Sequence, residues 1–233
     1  MGAVVMETII EIKNITKVYD TDNSKITVFQ DTSFKIKEGE FVIIMGPSGS
    51  GKSTFLNIIA MLEKANSGLV KLYGNDIDKL NYNEKADLRL SSLGVVYQGF
   101  HLIPFLSAKN NVKLPLILAP KTNNRKQLNL IAINILNQVG LSKRINHLPS
   151  ELSFGEQQRV AIARSLVNNP NIVLADEPTG SLDPMTSQEI ITLMKLLNQK
   201  RKTAFLVATH DEAFLPVADR VLVISNKSLT EKE

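Results

Sequence analysis

Apolar and polar positions along the chain form short clusters that predict strands separated by helices. Eight runs are rich in β-branched and other apolar residues and are bounded by polar or turn-forming residues, the pattern of β-strands. They cover residues 9–12, 26–36, 41–45, 69–72, 93–97, 172–175, 204–208 and 220–224. Helical spacing of apolar residues predicts helices over residues 52–62, 156–168 and 186–200. Strands that alternate with helices predict an α/β fold with a partly parallel sheet.

The middle of the chain has only the helical pattern. Apolar side chains recur at helical spacing over residues 128–139, Gly140 ends that helix, and no strand is predicted between residues 100 and 170. We therefore predict a helical subdomain inserted in the α/β core. The last residues, 225–233, are polar, and we expect them to be irregular.

Composition excludes several kinds of site. The 233 residues include no cysteine, so zinc held by cysteine, iron–sulfur clusters and thiol nucleophiles are excluded. The formal net charge is only +4, which does not by itself indicate a nucleic-acid-binding protein. No apolar run approaches the roughly 18 residues of a membrane-spanning helix. Residues 1–6 lack the basic start of a signal peptide. We therefore expect a cytoplasmic chain.

The charge is unevenly distributed along the chain. Residues 88–150 contain eight basic and no acidic residues, whereas the rest contains 19 basic and 23 acidic residues. The basic residues are Arg89, Lys109, Lys113, Lys121, Arg125, Lys126, Lys143 and Arg144. Two interpretations stay open: contact with anionic lipid headgroups, or a basic face that is simply solvated.

A glycine-rich loop lies between the predicted strand 41–45 and the helix that follows. Residues 46–53 have the sequence GPSGSGKS, which fits the P-loop pattern G-x-x-x-x-G-K-[ST] in its usual strand–loop–helix context. The backbone N–H groups of such a loop bind phosphates, Lys52 would hold the β- and γ-phosphates, and the Ser53 hydroxyl would bind Mg²⁺. The predicted nucleotide-binding residues here are Gly46, Pro47, Ser48, Gly49, Ser50, Gly51, Lys52, Ser53 and Thr54.

Two carboxylates follow the apolar run 172–175. Because ligands bind at the carboxyl ends of strands in open α/β sheets, Asp176 and Glu177 are expected beside the P-loop. Asp176 would orient the Mg²⁺ shell, and Glu177 would act as the general base on the attacking water.

Residues 152–159 make the sequence family-specific. Their sequence, LSFGEQQR, resembles the signature motif L-S-G-G-Q of ATP-binding cassette (ABC) proteins. Ser153 is expected to be a helix N-cap, and Gly155 to permit close backbone approach. The resemblance implies a homodimer with two ATP molecules at the interface, each between Lys52 of one copy and Ser153 of the other. It also implies a nucleotide contact by Glu156.

Phe154 departs from the family motif, which has glycine there. A helical backbone at Phe154 would leave the site working normally. A different backbone conformation, or the added bulk, would slow turnover or change the interface.

The remaining family elements occur in the expected order. The resemblance implies that Tyr19 stacks on adenine, that Gln98 contacts Mg²⁺ and water, that Asp183 belongs to the D-loop at the nucleotide, and that His210 acts near the γ-phosphate. Glu177, His210 and Gln98 are therefore the predicted catalytic residues. Ser53, Gln98 and Asp176 are the predicted metal ligands, with ATP and Mg²⁺ as cofactors.

The resemblance also implies the domain organisation. We expect an α/β fold of the ABC nucleotide-binding type, with a RecA-like P-loop core, an antiparallel β subdomain and an inserted helical subdomain. Residues 1–233 would form a single ABC ATPase domain. The core and β subdomain would cover about residues 9–98 and 160–225, and the helical subdomain about residues 99–159.

Residues 99–116 and 176–183 are similar to the ABC subfamily that includes MacB-type exporters, the lipoprotein-release ATPase LolD and the division ATPase FtsE. The resemblance implies an ATPase that drives export or extraction of an antimicrobial peptide, a macrolide, another drug or a lipoprotein. The partner would be a MacB/FtsX-like membrane permease that holds the chain at the inner face of the cell membrane. The candidate apolar contacts to it are Phe100, Leu102, Ile103, Phe105 and Leu106.

The resemblance also bears on other partners and other functions. An accessory protein on the periplasmic or extracellular side is expected but not identified, and no nucleic acid is expected. Two alternatives stay open: an FtsE-like regulatory ATPase that transports nothing, and a soluble nucleic-acid-associated ABC ATPase.

Overall fold

A computed structural model describes residues 7–21, 24–119 and 124–232. Lys121 and residues 1–6, on which two of the expectations above rest, lie outside these ranges. The described strands are β1 (Thr8–Thr21), β2 (Ser24–Lys37), β3 (Phe41–Met45), β4 (Ser67–Leu72), β5 (Asn75–Asp76), β6 (Leu93–Val96), β7 (Ile172–Asp176), β8 (Ala204–Thr209), β9 (Arg220–Ser225) and β10 (Ser228–Glu231). The described α-helices are α1 (Lys52–Ile59), α2 (Tyr82–Ser92), α3 (Ala108–Leu118), α4 (Arg125–Gln138), α5 (Phe154–Leu166) and α6 (Pro184–Arg201).

A six-stranded sheet forms the centre of the fold, in the order β10-β9-β3-β8-β7-β6. Its neighbouring strands are parallel except for β10, which pairs antiparallel with β9. The central strands are apolar on both faces because both faces are covered. In β3, Phe41 and Ile43 enter one hydrophobic core, and Val42 and Ile44 enter the other.

The two cores have different partners. Side chains from α3, α4, α5 and α6 fill the core on one face of the sheet. Side chains from α1 and from an antiparallel sheet in the order β2-β1-β4-β5 fill the core on the other face. Burial on one face only explains why buried and exposed residues alternate along β2.

The predicted strands and helices are present, with shifted ends. Helix α1 stops at Ile59 because Met61 has a left-handed backbone with φ of 58°. Gly140, with φ of 82°, follows α4 as predicted. Helix α2 is missing from the sequence prediction because none of its residues is fully buried and its leucines, Leu88 and Leu90, are not at helical spacing; an N-terminal capping box at Asn81 begins it.

The expectation of an irregular C-terminal segment was wrong. Residues 228–231 form β10, which pairs with β9, and Glu231 accepts two 2.8 Å hydrogen bonds from the Arg220 guanidinium. Apart from the buried Leu229, its side chains are polar because β10 lies at the sheet edge. The subdomain boundary near residue 159 falls within α5 and stays a prediction.

Gly94 provides a test of how closely α5 packs on the sheet. A Cβ atom at Gly94 would lie 2.4 Å from the Ser165 carbonyl oxygen, a backbone atom that cannot move away cheaply. We expect Gly94→Ala to lower the free energy of unfolding by about 1–3 kcal/mol. Gly99→Ala is the control, because the nearest atoms belong to the His101 side chain at 3.3 Å or more. Urea denaturation measures both, and equal stability of the two variants would contradict this packing.

Candidate functional site

The topology brings four predicted segments to one edge of the six-stranded sheet. Strands β3, β6, β7 and β8 run parallel, with Met45 beside Thr209 and Asp176 beside Ala208. The glycine-rich loop follows β3, the two carboxylates end β7, and His210 follows β8. Gln98 follows β6, which is the neighbour of β7 in the sheet. Their carboxyl ends therefore meet where ligands bind in open α/β sheets.

The glycine-rich loop needs its glycines. Gly51, with φ of 99°, would place a Cβ atom 2.2 Å from the Val28 side chain, and Gly49 has φ of 77°. Gly51 is also the N-cap of α1, so no side chain caps the first N–H groups of this helix. The Ser50 hydroxyl is buried and has no hydrogen-bond partner among the described residues. Uncapped N–H groups and the helix dipole suit an anion at this position.

Lys52 lies beneath the loop and is only 6% exposed. Its Nζ atom donates to the carbonyl oxygens of Gly46 at 2.8 Å and Pro47 at 3.2 Å. The same atom lies 3.4 Å from Glu177 Oε1. Because burial of an unpaired ammonium is costly, these three oxygens stabilise its charge.

Glu177 connects three strands. It follows β7, and its carboxylate meets Lys52 from the loop after β3. Its Oε2 atom accepts a 3.1 Å hydrogen bond from the Thr209 hydroxyl, at the end of β8. Its Oε1 atom lies 3.0 Å from Nδ1 of the exposed His210 ring. Glu177 itself has an unusual positive φ of 44°. The carboxylate is thus held by groups from two segments, the one after β3 and the end of β8.

Asp176 has a different environment. Burial and the neighbouring Glu177 charge raise the pKa of its carboxyl group, and the Ser53 hydroxyl and Lys52 partly offset this. Its Oδ1 atom is buried and has no hydrogen-bond partner among the described residues. A cation at this oxygen would replace the missing partner.

Two further predicted residues border this group. The Tyr19 hydroxyl lies 3.2 Å from the Thr54 hydroxyl in the first turn of α1. Gln98 is exposed and reaches the loop after β7, since a Cβ atom at Gly180 would lie 3.0 Å from its Nε2 atom. The structure therefore brings together the P-loop, Tyr19, Gln98, Asp176, Glu177 and His210.

The signature residues form a separate group around the N-termini of α5 and α6. Ser153 caps α5 by accepting from the Glu156 N–H at 3.2 Å, and Glu156 accepts from the Ser153 N–H at 2.9 Å. This reciprocal bond lowers the pKa of Glu156, as does Arg144, whose Nε donates to it at 2.9 Å. Asp183 caps α6 by accepting from the Thr186 N–H at 3.0 Å.

Close packing between α5 and α6 explains the glycine at position 155. A Cβ atom there would lie 2.5 Å from the Thr186 side chain, so glycine lets α5 approach the start of α6. Across the described ranges, no hydrogen bond or ion pair joins Ser153, Glu156 or Asp183 to Lys52.

Phe154 has the helical backbone that the first of the two alternatives requires. It is the first residue of α5 and is absent from the residues with positive φ. Its ring is 62% exposed and lies 5.9 Å, between centroids, from the ring of Phe100. Its effect on turnover stays a prediction.

Two buried polar residues that support the site, Gln158 and Thr209, were not identified from the sequence. The Gln158 amide is fully buried and donates to the Pro178 carbonyl at 2.6 Å, which joins α5 to the loop after Glu177. Thr209 is also fully buried and binds Glu177. Only the position of Thr209 at the end of an apolar strand, directly before His210, carries a signal in the sequence.

The comparisons with known proteins agree with this geometry. The model of the ABC transporter family matches residues 29–180. The lipoprotein-releasing system ATP-binding protein LolD of Legionella pneumophila (strain Paris) is 44% identical over 225 residues, which are 97% of this chain and 98% of LolD. An uncharacterized ABC transporter ATP-binding protein of Methanocaldococcus jannaschii is 42% identical over 224 residues, 95% of this chain and 98% of that protein.

A solved structure is similar over nearly the whole chain. It is a dimeric, post-hydrolysis state of the ATP-binding cassette MJ0796 bound to ADP and Pi, at 40% identity and a TM-score of 0.88. The match covers 96% of this chain and 98% of that one. The chain thus belongs to the ABC transporter family, as one of its ATP-binding and ATP-hydrolysing cassettes. In the part of the chain that the structure describes, no helix is long and apolar enough to cross a membrane.

Removing the charge of Asp176 and removing the charge of Asp183 should change the thermal stability of the protein in opposite directions. The raised pKa of Asp176 means that folding disfavours its charged form, so its ionisation destabilises the folded protein, a cost that grows from the ordinary aspartate pKa to the raised pKa and is constant above it. The pKa of Asp183 is lowered, chiefly by its hydrogen bond with Thr186, so its charge stabilises the fold there. At pH 7 without nucleotide or Mg²⁺, Asp176→Asn should raise the thermal midpoint and Asp183→Asn should lower it. A lower midpoint for Asp176→Asn would contradict the account.

Proposed function

We propose that the chain is the ATP-hydrolysing subunit of a MacB/LolD-type membrane transporter, and that it works as an ATP-dependent homodimer. The convergence of Lys52, Asp176 and Glu177 at an uncapped helix N-terminus carries this proposal. The 44% identity to LolD over 98% of its length favours extraction of a lipoprotein or a similar amphiphile from the membrane as the driven step.

The P-loop supplies the phosphate site. The free N–H groups at the start of α1 bind the phosphate oxygens, and Lys52 exchanges its bonds to Gly46, Pro47 and Glu177 for the β- and γ-phosphates. The exchange keeps the buried ammonium paired throughout. The exposed face of Tyr19, beside the first turn of α1, receives the adenine.

The residues present fit Mg²⁺. The Ser53 hydroxyl interacts with the Asp176 carboxylate, whose Oδ1 atom has no partner among the described residues, and both side chains offer the oxygen donors that this hard cation prefers. The described residues contain no group of three or more His, Cys, Asp or Glu side chains that could hold a metal ion by themselves, which fits a Mg²⁺ site that takes other ligands from phosphate and water. Gln98 is the further candidate ligand. The cation would neutralise charge on the phosphate oxygens.

Glu177 is the candidate general base. Its carboxylate points into the site while Lys52, Thr209 and His210 hold it. When Lys52 binds phosphate instead, Oε1 loses its ion pair with Lys52 and keeps the His210 contact, which leaves it room to accept the proton of the attacking water. His210 keeps the carboxylate oriented and faces the γ-phosphate position from its exposed side.

The second half of each nucleotide site comes from another copy. Ser153, Glu156 and Asp183 lie at the N-termini of α5 and α6, apart from the P-loop group. In a two-fold dimer, the α5 N-terminus of one copy would face the γ-phosphate bound by the other. The dimeric state of the cassette MJ0796, at 40% identity, supports this arrangement.

A groove on the helical side is the candidate dock for the permease. It has a volume of about 510 Å³ and lies between α2, β6, α3 and α5, with apolar walls that include Leu90, Leu93, Pro115 and Leu118. None of the five apolar residues proposed from the sequence lines it; Leu102 packs against the core instead, and Phe105 is exposed outside it. A short helix of the permease in this groove would hold the chain at the cytoplasmic face of the membrane.

Glu177→Gln tests the base assignment. The variant should bind ATP normally, because the amide preserves the shape of the side chain, and should lose at least a hundredfold in kcat. With ATP and Mg²⁺ it should also elute as a stable dimer in size-exclusion chromatography. Glu212→Gln, an exposed carboxylate in the same region, is the matched control and should hydrolyse ATP normally. Normal turnover by Glu177→Gln would contradict the assignment.

Leu118→Glu tests the groove. Leu118 is 64% exposed on the groove wall, and Leu130 on α4 is 60% exposed outside it. A charge at position 118 should abolish co-purification of a co-expressed MacB/LolD-type permease, because a docked helix would strip the carboxylate of its water. ATP hydrolysis by the isolated chain should be unchanged, and Leu130→Glu should keep the permease. Loss of the permease with Leu130→Glu alone would place the dock elsewhere.

A further inference from the structure

We propose that Lys17 is a positioning residue that fixes the Tyr19 ring for stacking on adenine and thereby contributes to nucleotide affinity. The inference rests on the proposed adenine contact of Tyr19. Both residues lie on β1, two positions apart, so their side chains project from the same face of the strand. The Lys17 Nζ atom lies 4.7 Å from the centroid of the Tyr19 ring, over its face.

The position of Lys17 is strongly determined. Only 9% of the residue is exposed, which is rare for lysine. Its Nζ atom lies 2.8 Å from Glu63 Oε1 and donates to the Lys64 carbonyl oxygen at 2.9 Å. Both partners lie in the segment after α1, so the ammonium is held between that segment and the Tyr19 ring.

Tyr19 is held at a second point. Its hydroxyl is 3.2 Å from the Thr54 hydroxyl and also interacts with the Glu63 carboxylate. Burial and Glu63 raise the pKa of the Tyr19 hydroxyl, so the phenol stays neutral. With its edge fixed at Thr54 and one face against Lys17, the ring has a single orientation beside the first turn of α1. The opposite face is the one left for a base.

The Lys17 ammonium has an electronic effect on the Tyr19 ring besides the steric one. The faces of two aromatic rings both carry negative potential, which opposes direct face-to-face stacking. An ammonium behind the Tyr19 ring is attracted to one face and withdraws negative potential from the other. Stacking of a purine on that other face is therefore strengthened, whereas the triphosphate, bound at the P-loop, is unaffected.

The experiment measures binding of the adenine ring separately from binding of the phosphates. Steady-state ATP hydrolysis gives KM and kcat, and inorganic tripolyphosphate as a competitive inhibitor reports phosphate binding without a base. We expect Lys17→Met to raise KM for ATP about three- to tenfold while kcat and the inhibition constant of tripolyphosphate stay unchanged. Lys17→Arg, which keeps the charge over the ring, should restore KM to near the wild-type value.

Matched variants complete the design. Lys13→Met is the control, since Lys13 is an exposed lysine on the same strand that pairs with Glu11 at 3.2 Å and does not touch Tyr19. It should leave all three constants unchanged. Lys17→Met should add nothing to the KM of a Tyr19→Ala variant, because the lysine acts through the ring.

The outcomes distinguish the two levels of the proposal. If Tyr19→Ala leaves KM unchanged, the adenine contact itself is wrong and the inference fails with it. If Tyr19→Ala raises KM but Lys17→Met does not, the inference alone is overturned. A weaker tripolyphosphate inhibition or a lower kcat in Lys17→Met would also overturn it, because the lysine would then support the fold of the whole site.

Discussion

The buried ammonium of Lys52 constrains the rest of the nucleotide site. A lysine under a glycine-rich loop needs oxygen partners, and here two loop carbonyls and Glu177 provide them. Glu177 reaches Lys52 because parallel strands end at one sheet edge, and Thr209 and His210 fix the carboxylate from the neighbouring strand. In the proposed mechanism the same interaction links binding to hydrolysis, since phosphates that take Lys52 would break its ion pair with the carboxylate proposed to receive the proton of water.

The separation of the signature residues from this network agrees with the proposal that one chain provides only half of each nucleotide site. The N-terminus of α5 is ordered by its capping box, and that of α6 by the Asp183 cap. The ordered ends are therefore present before any partner binds. Gln158, buried between α5 and the loop that follows Glu177, gives the two groups a direct mechanical connection. Movement of α5 at a dimer interface would be transmitted through this hydrogen bond to the loop that follows Glu177.

The sequence predicts those parts of the molecule whose signal is local. The P-loop depends on glycines at fixed spacing, and Ser153 precedes its helix as an N-cap does, so both could be recognised. The structure places Gln98, Asp176, Glu177 and His210 at the same edge, as parallel strand order implies. Helix α2 and strand β10 were missed because neither has a local apolar repeat: no residue of α2 is fully buried, and Leu229 is the one buried residue of the edge strand β10. Gln158, Thr209 and the groove around Leu118 depend on tertiary contacts that no spacing along the chain records.

The most direct measurement of the central claim is a crystal structure of the Glu177→Gln protein with ATP and Mg²⁺. The account predicts that Lys52 Nζ leaves the Gly46 and Pro47 carbonyls for the β- and γ-phosphates. It also predicts that Ser153 of a second copy faces the γ-phosphate across a two-fold axis. A nucleotide bound without contact to Lys52, or a complex in which Ser153 faces solvent, would contradict it.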